Sequence, residues 1–304
     1  MLNYIASPEW IANDTDVDAL YENCFEKDFE MEKSCFAIKP SCTKETVINL
    51  PHISPPIHNH LQDANGLIIK PSVINAYYRP SENKICKRCF LAKIPNEQII
   101  FIFTDILTSV LQPPYYYADA PLAVNFGGIG TVIGHEITHG FDVHGSRFDA
   151  TGQPRNWWAN QTMVRFQEKV KCFVKQYSDY VEPLTGGNVD GDLTIKDNIA
   201  DNGGLHQSYE AYKTYSAIKH PEKDLKLPLA MSRFTTEQLY FISFANTYCA
   251  NFKKEFAEQL LKTDEHAPFT ARVIVTLSNS KEFSKAFKCK EGSRMNPKEK
   301  CEIW

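Results

Sequence analysis

The sequence lacks any apolar run long enough to cross a membrane. Its most apolar stretch, residues 99–111, is broken by Asp105 and falls well short of the roughly 20 residues a spanning helix needs. That stretch is read as a buried core segment, and no membrane contact is expected of this segment of chain. A secretory leader pattern is missing too, because Met1-Leu2-Asn3-Tyr4 brings neither a basic start nor an apolar core before Pro8 and Trp10. An excess of charge of one sign is also absent. The 33 basic and 37 acidic residues sum to −4 and are scattered rather than blocked, which excludes the electrostatic footprint of a nucleic-acid or membrane-surface binder. No internal repeat stands out. What is present is ordinary globular material: 304 residues, 43% hydrophobic and 23% charged, enough for a full core in one or two domains.

Nine cysteines are many for a cytosolic chain of this size. Two sequons, Asn13-Asp14-Thr15 and Asn160-Gln161-Thr162, point the same way, towards an oxidising compartment and a glycoprotein. Secretory chemistry without a leader implies a piece of a longer chain, or an export signal that lies outside this one.

Along the chain, Asp14 to Tyr21 is a candidate capped helix. From Lys39 to His60 the composition turns to Pro, Thr, His and Asn, an irregular connection in which His52, His58 and His60 are expected to face solvent. Beyond it, Leu67-Ile68-Ile69 and Val73-Ile74 read as short strands of a small sheet. Helical patterns follow near 157–180, 197–215, 235–262 and 281–287. The fold class is therefore α+β and predominantly helical, with the sheet near the N-terminal part.

The central motif is His135-Glu136-Ile137-Thr138-His139. Two imidazoles four residues apart leave the same face of a helix and can share a zinc ion, which bonds histidine nitrogen at about 2.0–2.1 Å. Glu136, one step round, falls beside the metal, where a carboxylate can take a proton from water held by zinc. At 100° per residue, Ile129, Ile133, Ile137 and Phe141 form an apolar stripe nearly opposite the histidines, and this stripe is expected to pack the helix.

A catalytic zinc takes about three protein ligands and keeps a position for water, so a further donor should follow. Asp197-Asn198-Ile199-Ala200-Asp201 offers two carboxylates at i and i+4. One can bind the metal while the other holds His135 through its free ring nitrogen; spacing alone does not say which.

With these residues in view, the sequence resembles the neprilysin and endothelin-converting-enzyme family of zinc metalloendopeptidases, within the thermolysin-like group. The resemblance rests on Asn75-Ala76-Tyr77-Tyr78, Leu111-Gln112-Pro113-Pro114, Val124 to Gly130 leading into the zinc motif, Gly140-Phe141-Asp142, Asn156-Trp157-Trp158, Asn198 to Leu205, and the ending Met295-Asn296-Pro297 to Cys301-Glu302-Ile303-Trp304. It runs from about 66 to 304 and implies a thermolysin-like catalytic domain there, with 1–65 the remnant of an N-terminal lobe and its connection.

The resemblance further implies one zinc ion per chain, held by His135, His139 and Asp197, with Glu136 as general base and Asp201 orienting the first histidine. His266 would stabilise the oxyanion, and Arg272 would bind a substrate carbonyl or carboxylate. Asn75 and Ala76 would pair with substrate backbone, and Val132 would wall a pocket for a large hydrophobic residue. The implied activity is extracellular or cell-surface hydrolysis of small peptides on the amino side of such residues, under a lobe that packs over the cleft and is largely missing here. Cys172 is expected to pair with Cys301, while Cys249 and Cys289 match cysteines whose partners lie in the missing lobe and are expected to be free thiols.

Two departures matter. The family has Glu where this chain has Asp197, which shortens the reach by about 1.5 Å. Errors near 1 Å can cost on the order of a hundredfold in rate, so weakened zinc binding, or a groove that binds peptides without cutting them efficiently, is the alternative expectation. Between Asn75 and Leu111, Cys86-Lys87-Arg88-Cys89 and the run 98–110 replace the family's compact strand and turn; a single Cys-x-x-Cys is read as structural or incidental rather than a second metal or redox site.

Overall fold

The computed structural model describes residues 76–78, 80, 104–106, 110–218 and 229–303. Asn75, the expected strands at 67–69 and 73–74, the candidate helix at Asp14 to Tyr21, His52, His58, His60, the Cys86-x-x-Cys89 motif and the whole 1–65 segment with its boundary lie outside the described residues.

Strands β1 (Ala76–Tyr78) and β2 (Thr104–Ile106) pair antiparallel, Ala76 opposite Ile106 and Tyr78 opposite Thr104. The apolar stretch at 99–111 thus contributes a strand. Helix α1 (Leu122–Asn125) runs through a π turn (Phe126–Gly130) into α2 (Thr131–His139). Then come α3 (Asn160–Ser178), α4 (Ile195–Ile218), α5 (Thr236–Asn246), α6 (Lys254–Thr263), α7 (Phe269–Asn279) and α8 (Lys281–Ala286). Among the described residues no helix is long and apolar enough to cross a membrane.

The helical pattern expected across 235–262 is two helices. Thr235 caps the first through its hydroxyl and Gln238 answers it, a reciprocal capping box. The chain then leaves helical geometry between Asn246 and Lys254, which turns Thr247 and Tyr248 into the cleft described below. Helix α7 was not expected as an element. It starts directly after Pro268, a residue that cannot donate to a helix but begins one well.

Two buried clusters flank α4. One gathers Leu205, Tyr209 and Tyr212 of α4 with Tyr240, Phe241 and Phe244 of α5 and Val273 and Leu277 of α7. The other joins Ile199 of α4 to Phe166, Phe173 and Tyr177 of α3, Ala271 and Val275 of α7, and Cys301 and Ile303. Each fully buried aromatic of this kind stabilises the fold by about 1.5–3 kcal/mol. Buried amides tie the same helices, with Asn279 donating to Gln176 Oε1 and Asn202 Oδ1 at 2.9 Å each. Helices α4 and α7 are therefore fixed on both sides, and they carry Asp197, Asp201 and Arg272.

Cys172 and Cys301 form the expected disulfide, closing 129 residues of chain. The expectation for Cys249 and Cys289 is corrected, since both are disulfide-bonded rather than free. It had reserved their partners for a missing lobe, although this chain carries five further cysteines of its own, Cys24, Cys35, Cys42, Cys86 and Cys89.

Candidate metal centre

The face on which α2 packs is not the isoleucine stripe. Phe141 lies beyond the helix end and is 43% exposed, and Ile133 and Ile137 are only partly buried. The buried positions are Thr131, Gly134, His135, Glu136 and Thr138. Small residues let α2 and α4 approach backbone to backbone. A Cβ on Gly134 would lie 2.7 Å from the Gly204 carbonyl oxygen, one on Gly204 would lie 2.5 Å from the His135 nitrogen, and one on Gly203 would strike Thr138. Hydrophobic periodicity does not register such a contact, because no large apolar side chain makes it.

On α4, Asp197, Asp201 and Gly204 stand at i, i+4 and i+7, one face of the helix. The close approach at Gly204 therefore presents both carboxylates to the histidines of α2. His135 Nε2 and His139 Nε2 are 3.0 Å apart, and Asp197 Oδ1 lies 3.6 and 3.5 Å from them. Donors tetrahedral about zinc at 2.0–2.1 Å stand about 3.3–3.4 Å apart, so the triangle has the dimensions of three such ligands. The other Asp197 oxygen, Oδ2, is buried with no hydrogen-bond partner; a buried carboxylate oxygen left in that state is costly unless a cation compensates it. The donor set thus fits zinc, and the aspartate reaches despite its missing methylene.

The ring nitrogens that face away from the triangle are each held by a carboxylate. His135 Nδ1 is 2.8 Å from Asp201 Oδ1, and His139 Nδ1 is 2.7 Å from Asp142 Oδ2. Both contacts leave Nε2 for a metal. Asp142 is itself fixed, its Oδ1 accepting from the backbone N–H of His144 and Gly145 at 2.7 Å each. Its orienting position was missed from sequence, although the signal was there: a carboxylate three residues after the second histidine. Asp201 is gripped by Arg272 through Nε at 2.7 Å and Nη2 at 2.6 Å, and by the Tyr248 hydroxyl at 3.3 Å. The Arg272 guanidinium also stacks over the Tyr248 ring at 4.7 Å. Arg272, expected to meet substrate, thus spends much of its donor fork on Asp201 while still lining the cleft.

Burial and charge set the protonation of these groups. Burial works against both histidine cations, yet hydrogen bonds raise His135 through Asp197 and Asp201, and raise His139 to about 10 through Asp142 and Asp197. Burial raises Glu136, a shift partly countered by the two histidines. For Asp201 burial pushes up, but Arg272 and His135 prevail and hold it well below the ordinary carboxylate value; histidine contacts do the same for Asp197.

His266 stands at the rim with its Nε2 3.3 Å from Asp197 Oδ1 and its Nδ1 2.8 Å from Asp264 Oδ1. A cleft of about 430 Å³ opens over the centre, within the range of small-ligand pockets. Ala76 and Val132 line it, as expected, with Val110, Tyr115, Thr247 and Tyr248. The last three are polar additions that no sequence motif singles out. The structure therefore brings together His135, Glu136, His139, Asp197, Asp201, His266, Arg272, Val132 and Ala76; Asn75 alone of the expected site residues lies outside the described part.

The model of peptidase family M13 matches residues 94–303. Neprilysin-1 of Caenorhabditis elegans is 37% identical over 307 residues, covering 100% of this chain and 37% of that protein. Human membrane metallo-endopeptidase-like 1 is 42% identical over 243 residues, 80% of this chain and 28% of that protein. Among solved structures, the zinc metalloprotease Zmp1 of Mycobacterium tuberculosis in complex with inhibitor superposes with a TM-score of 0.67 at 28% identity, over 80% of this chain and 34% of that one. The chain thus spans about a third of the length of the relatives it matches, and its mostly helical, thermolysin-like architecture is shared with the Zmp1 structure. With the family model covering more than two-thirds of its residues and the histidine pair set as that chemistry requires, the chain belongs to peptidase family M13.

Proposed function

We propose that this chain is the catalytic segment, residues 66–304, of a zinc-dependent endopeptidase that hydrolyses small peptides on the amino side of large hydrophobic residues. The observation that carries this reading is the convergence of His135 Nε2, His139 Nε2 and Asp197 Oδ1 at the foot of an open cleft, with Glu136 buried beside them. One zinc ion per chain, which His135, His139 and Asp197 would hold, would supply Lewis-acid polarisation of the scissile carbonyl and would acidify the attacking water.

Glu136 takes that water's proton and returns it to the leaving amine; burial raises its affinity for a proton, which suits a group that must both accept and donate. Asp201 and Asp142 hold the two imidazoles in the tautomer that leaves Nε2 bare. His266 donates to the oxyanion, and Arg272 donates to substrate from its place against Asp201. Asn75 and Ala76 align the peptide backbone as an added strand. Val132 and Val110 wall the pocket for the hydrophobic side chain.

The setting is extracellular or at the cell surface, as a glycoprotein, with residues 1–65 the remnant of an N-terminal lobe that packs over the cleft. The Cys172–Cys301 disulfide and the exposed sequon at Asn160 support that setting. A second reading, a homologue that binds peptides but cuts them poorly, draws on Asp197 standing where the family has Glu. Zinc content of the purified chain, cleavage of a short quenched peptide, and its loss in Glu136→Gln separate the two. Metal with turnover that the substitution abolishes supports the peptidase; metal without turnover favours the binder; neither would leave only a structural module.

A further inference from the structure

Each side of the metal centre has a charged neighbour on its own backbone. Lys196 immediately precedes Asp197 at the start of α4, and Glu265 immediately precedes His266 in the turn between α6 and α7. Lys196 Nζ and Glu265 Oε2 form an ion pair. One residue further on, His266 Nε2 and Asp197 Oδ1 stand 3.3 Å apart. The pair therefore joins the segment carrying a zinc ligand to the segment carrying the histidine that overlooks it.

The His266 ring has few other restraints. Its side chain is 43% exposed, and its partner Asp264 is in its own turn: Asp264 Oδ1 accepts from the His266 backbone N–H at 2.9 Å and meets Nδ1 at 2.8 Å. Those contacts set the ring relative to its own loop and point Nε2 outward. The loop backbone is anchored by Ala267, buried in the cluster that holds Ile199 of α4, but that contact does not set how far the ring stands over the metal centre. Lys196–Glu265 adds a side-chain link between α4 and the residue next to His266, and Lys196 also lines the cleft.

We infer that Lys196 and Glu265 are a positioning pair, which sets the distance between the His266 ring and the metal centre and so its reach to the oxyanion. The inference rests on the oxyanion role proposed for His266. Both side chains are more than a third exposed, 36% and 46%, and pairs of this kind contribute little to stability. Loss of the pair should therefore leave melting unchanged while it loosens an alignment on which rate depends steeply. A merely structural contact would do the reverse.

The test uses the zinc-loaded full chain with Lys196→Met, Glu265→Gln, the reversed pair Lys196→Glu/Glu265→Lys, and His266→Gln. In both single variants kcat falls on the order of tenfold, with KM and zinc content unchanged. The reversed pair recovers most of the loss. Affinity for a phosphonate peptide, whose tetrahedral oxygens stand in for the oxyanion, falls in parallel with kcat and reads the effect even where turnover is low. In the metal-free chain the His266 ring proton signals, sharp in the parent, broaden in Lys196→Met. If His266→Gln weakens turnover or phosphonate binding while the Lys196 and Glu265 variants match the parent in both, the positioning pair is overturned. If His266→Gln changes neither, the oxyanion reading itself fails, and the pair's role fails with it.

Discussion

Substitution of Gly204 by alanine tests whether the close approach of α2 and α4 builds the metal centre. The added Cβ would sit 2.5 Å from the His135 nitrogen and 2.8 Å from both the His135 Cα and the Thr131 carbonyl oxygen. These are main-chain atoms in a buried helix, so no side-chain rotation relieves the clash. The helices must separate by roughly 0.9 Å to reach ordinary contact. Asp197 and Asp201 share a helix face with position 204 and move with it, whereas a zinc bond tolerates only about 0.2 Å. Zinc affinity should fall on the order of 10- to 100-fold, about 1.4–2.7 kcal/mol.

The fold itself should suffer less. Overpacking costs roughly 1–3 kcal/mol, and the gain in helix propensity from glycine to alanine, about 1 kcal/mol, offsets part of it. Chelator competition reads the zinc affinity, and circular dichroism of the metal-free variant verifies that it is folded. Gly186→Ala is the control: it stands at φ +75° with nothing within 4 Å of the new Cβ, so it costs stability through backbone strain and leaves zinc binding as it was. A folded Gly204→Ala protein that holds zinc as tightly as the parent would refute the role given to the glycine contact.

Other outcomes follow from the same geometry. Asp142→Asn should weaken zinc binding about 10- to 100-fold by freeing the His139 ring, measured by the same competition. Asp197→Glu should bring no gain in zinc affinity, because the aspartate oxygen already stands at ligand spacing; a tenfold gain would favour the weakened-homologue reading. In the metal-free chain His139 has a folded-state pKa of about 10 against an ordinary 6.5, so its contribution to stability is complete below 6.5 and lost as pH rises towards 10. Denaturant unfolding of the chelated protein should accordingly show this contribution shrinking across that window, while zinc affinity rises as the competing protons leave. Asp201, held low chiefly by Arg272 against its burial, works the other way: its contribution is present above 3.8 and is lost as pH falls further, which Arg272→Met should largely remove from an acid titration.

Much of the centre was legible because it is written in short-range periodicity. Two histidines at i and i+4 and two aspartates at i and i+4 each declare a shared helix face, and a catalytic zinc asks for both. The predominantly helical class was legible in the helical patterns along the chain, and the Cys172–Cys301 bond through family resemblance. What the sequence hid was how the two helices meet. The isoleucine stripe suggested the wrong packing face for α2, because the true contact is made by Gly134, Thr138, Gly203 and Gly204, whose value lies in what they do not fill. The break after Asn246 was hidden inside a continuous helical pattern, so Tyr248 was not seen to reach Asp201 across 47 residues of sequence. The pair Lys196–Glu265 spans 69 residues, and no local pattern encodes it. The free thiols expected at Cys249 and Cys289 fail for a different reason, since disulfide partners are set by long-range contacts that no local pattern encodes.

The most direct measurement is X-ray absorption at the zinc edge on the purified, zinc-loaded chain. Two imidazole nitrogens with one or two light oxygen donors, all near 2.0–2.1 Å, are the expected shell, and Asp197→Ala should remove one oxygen from it. A shell containing sulfur near 2.3 Å, or one unchanged by Asp197→Ala, would contradict a centre built from His135, His139 and Asp197.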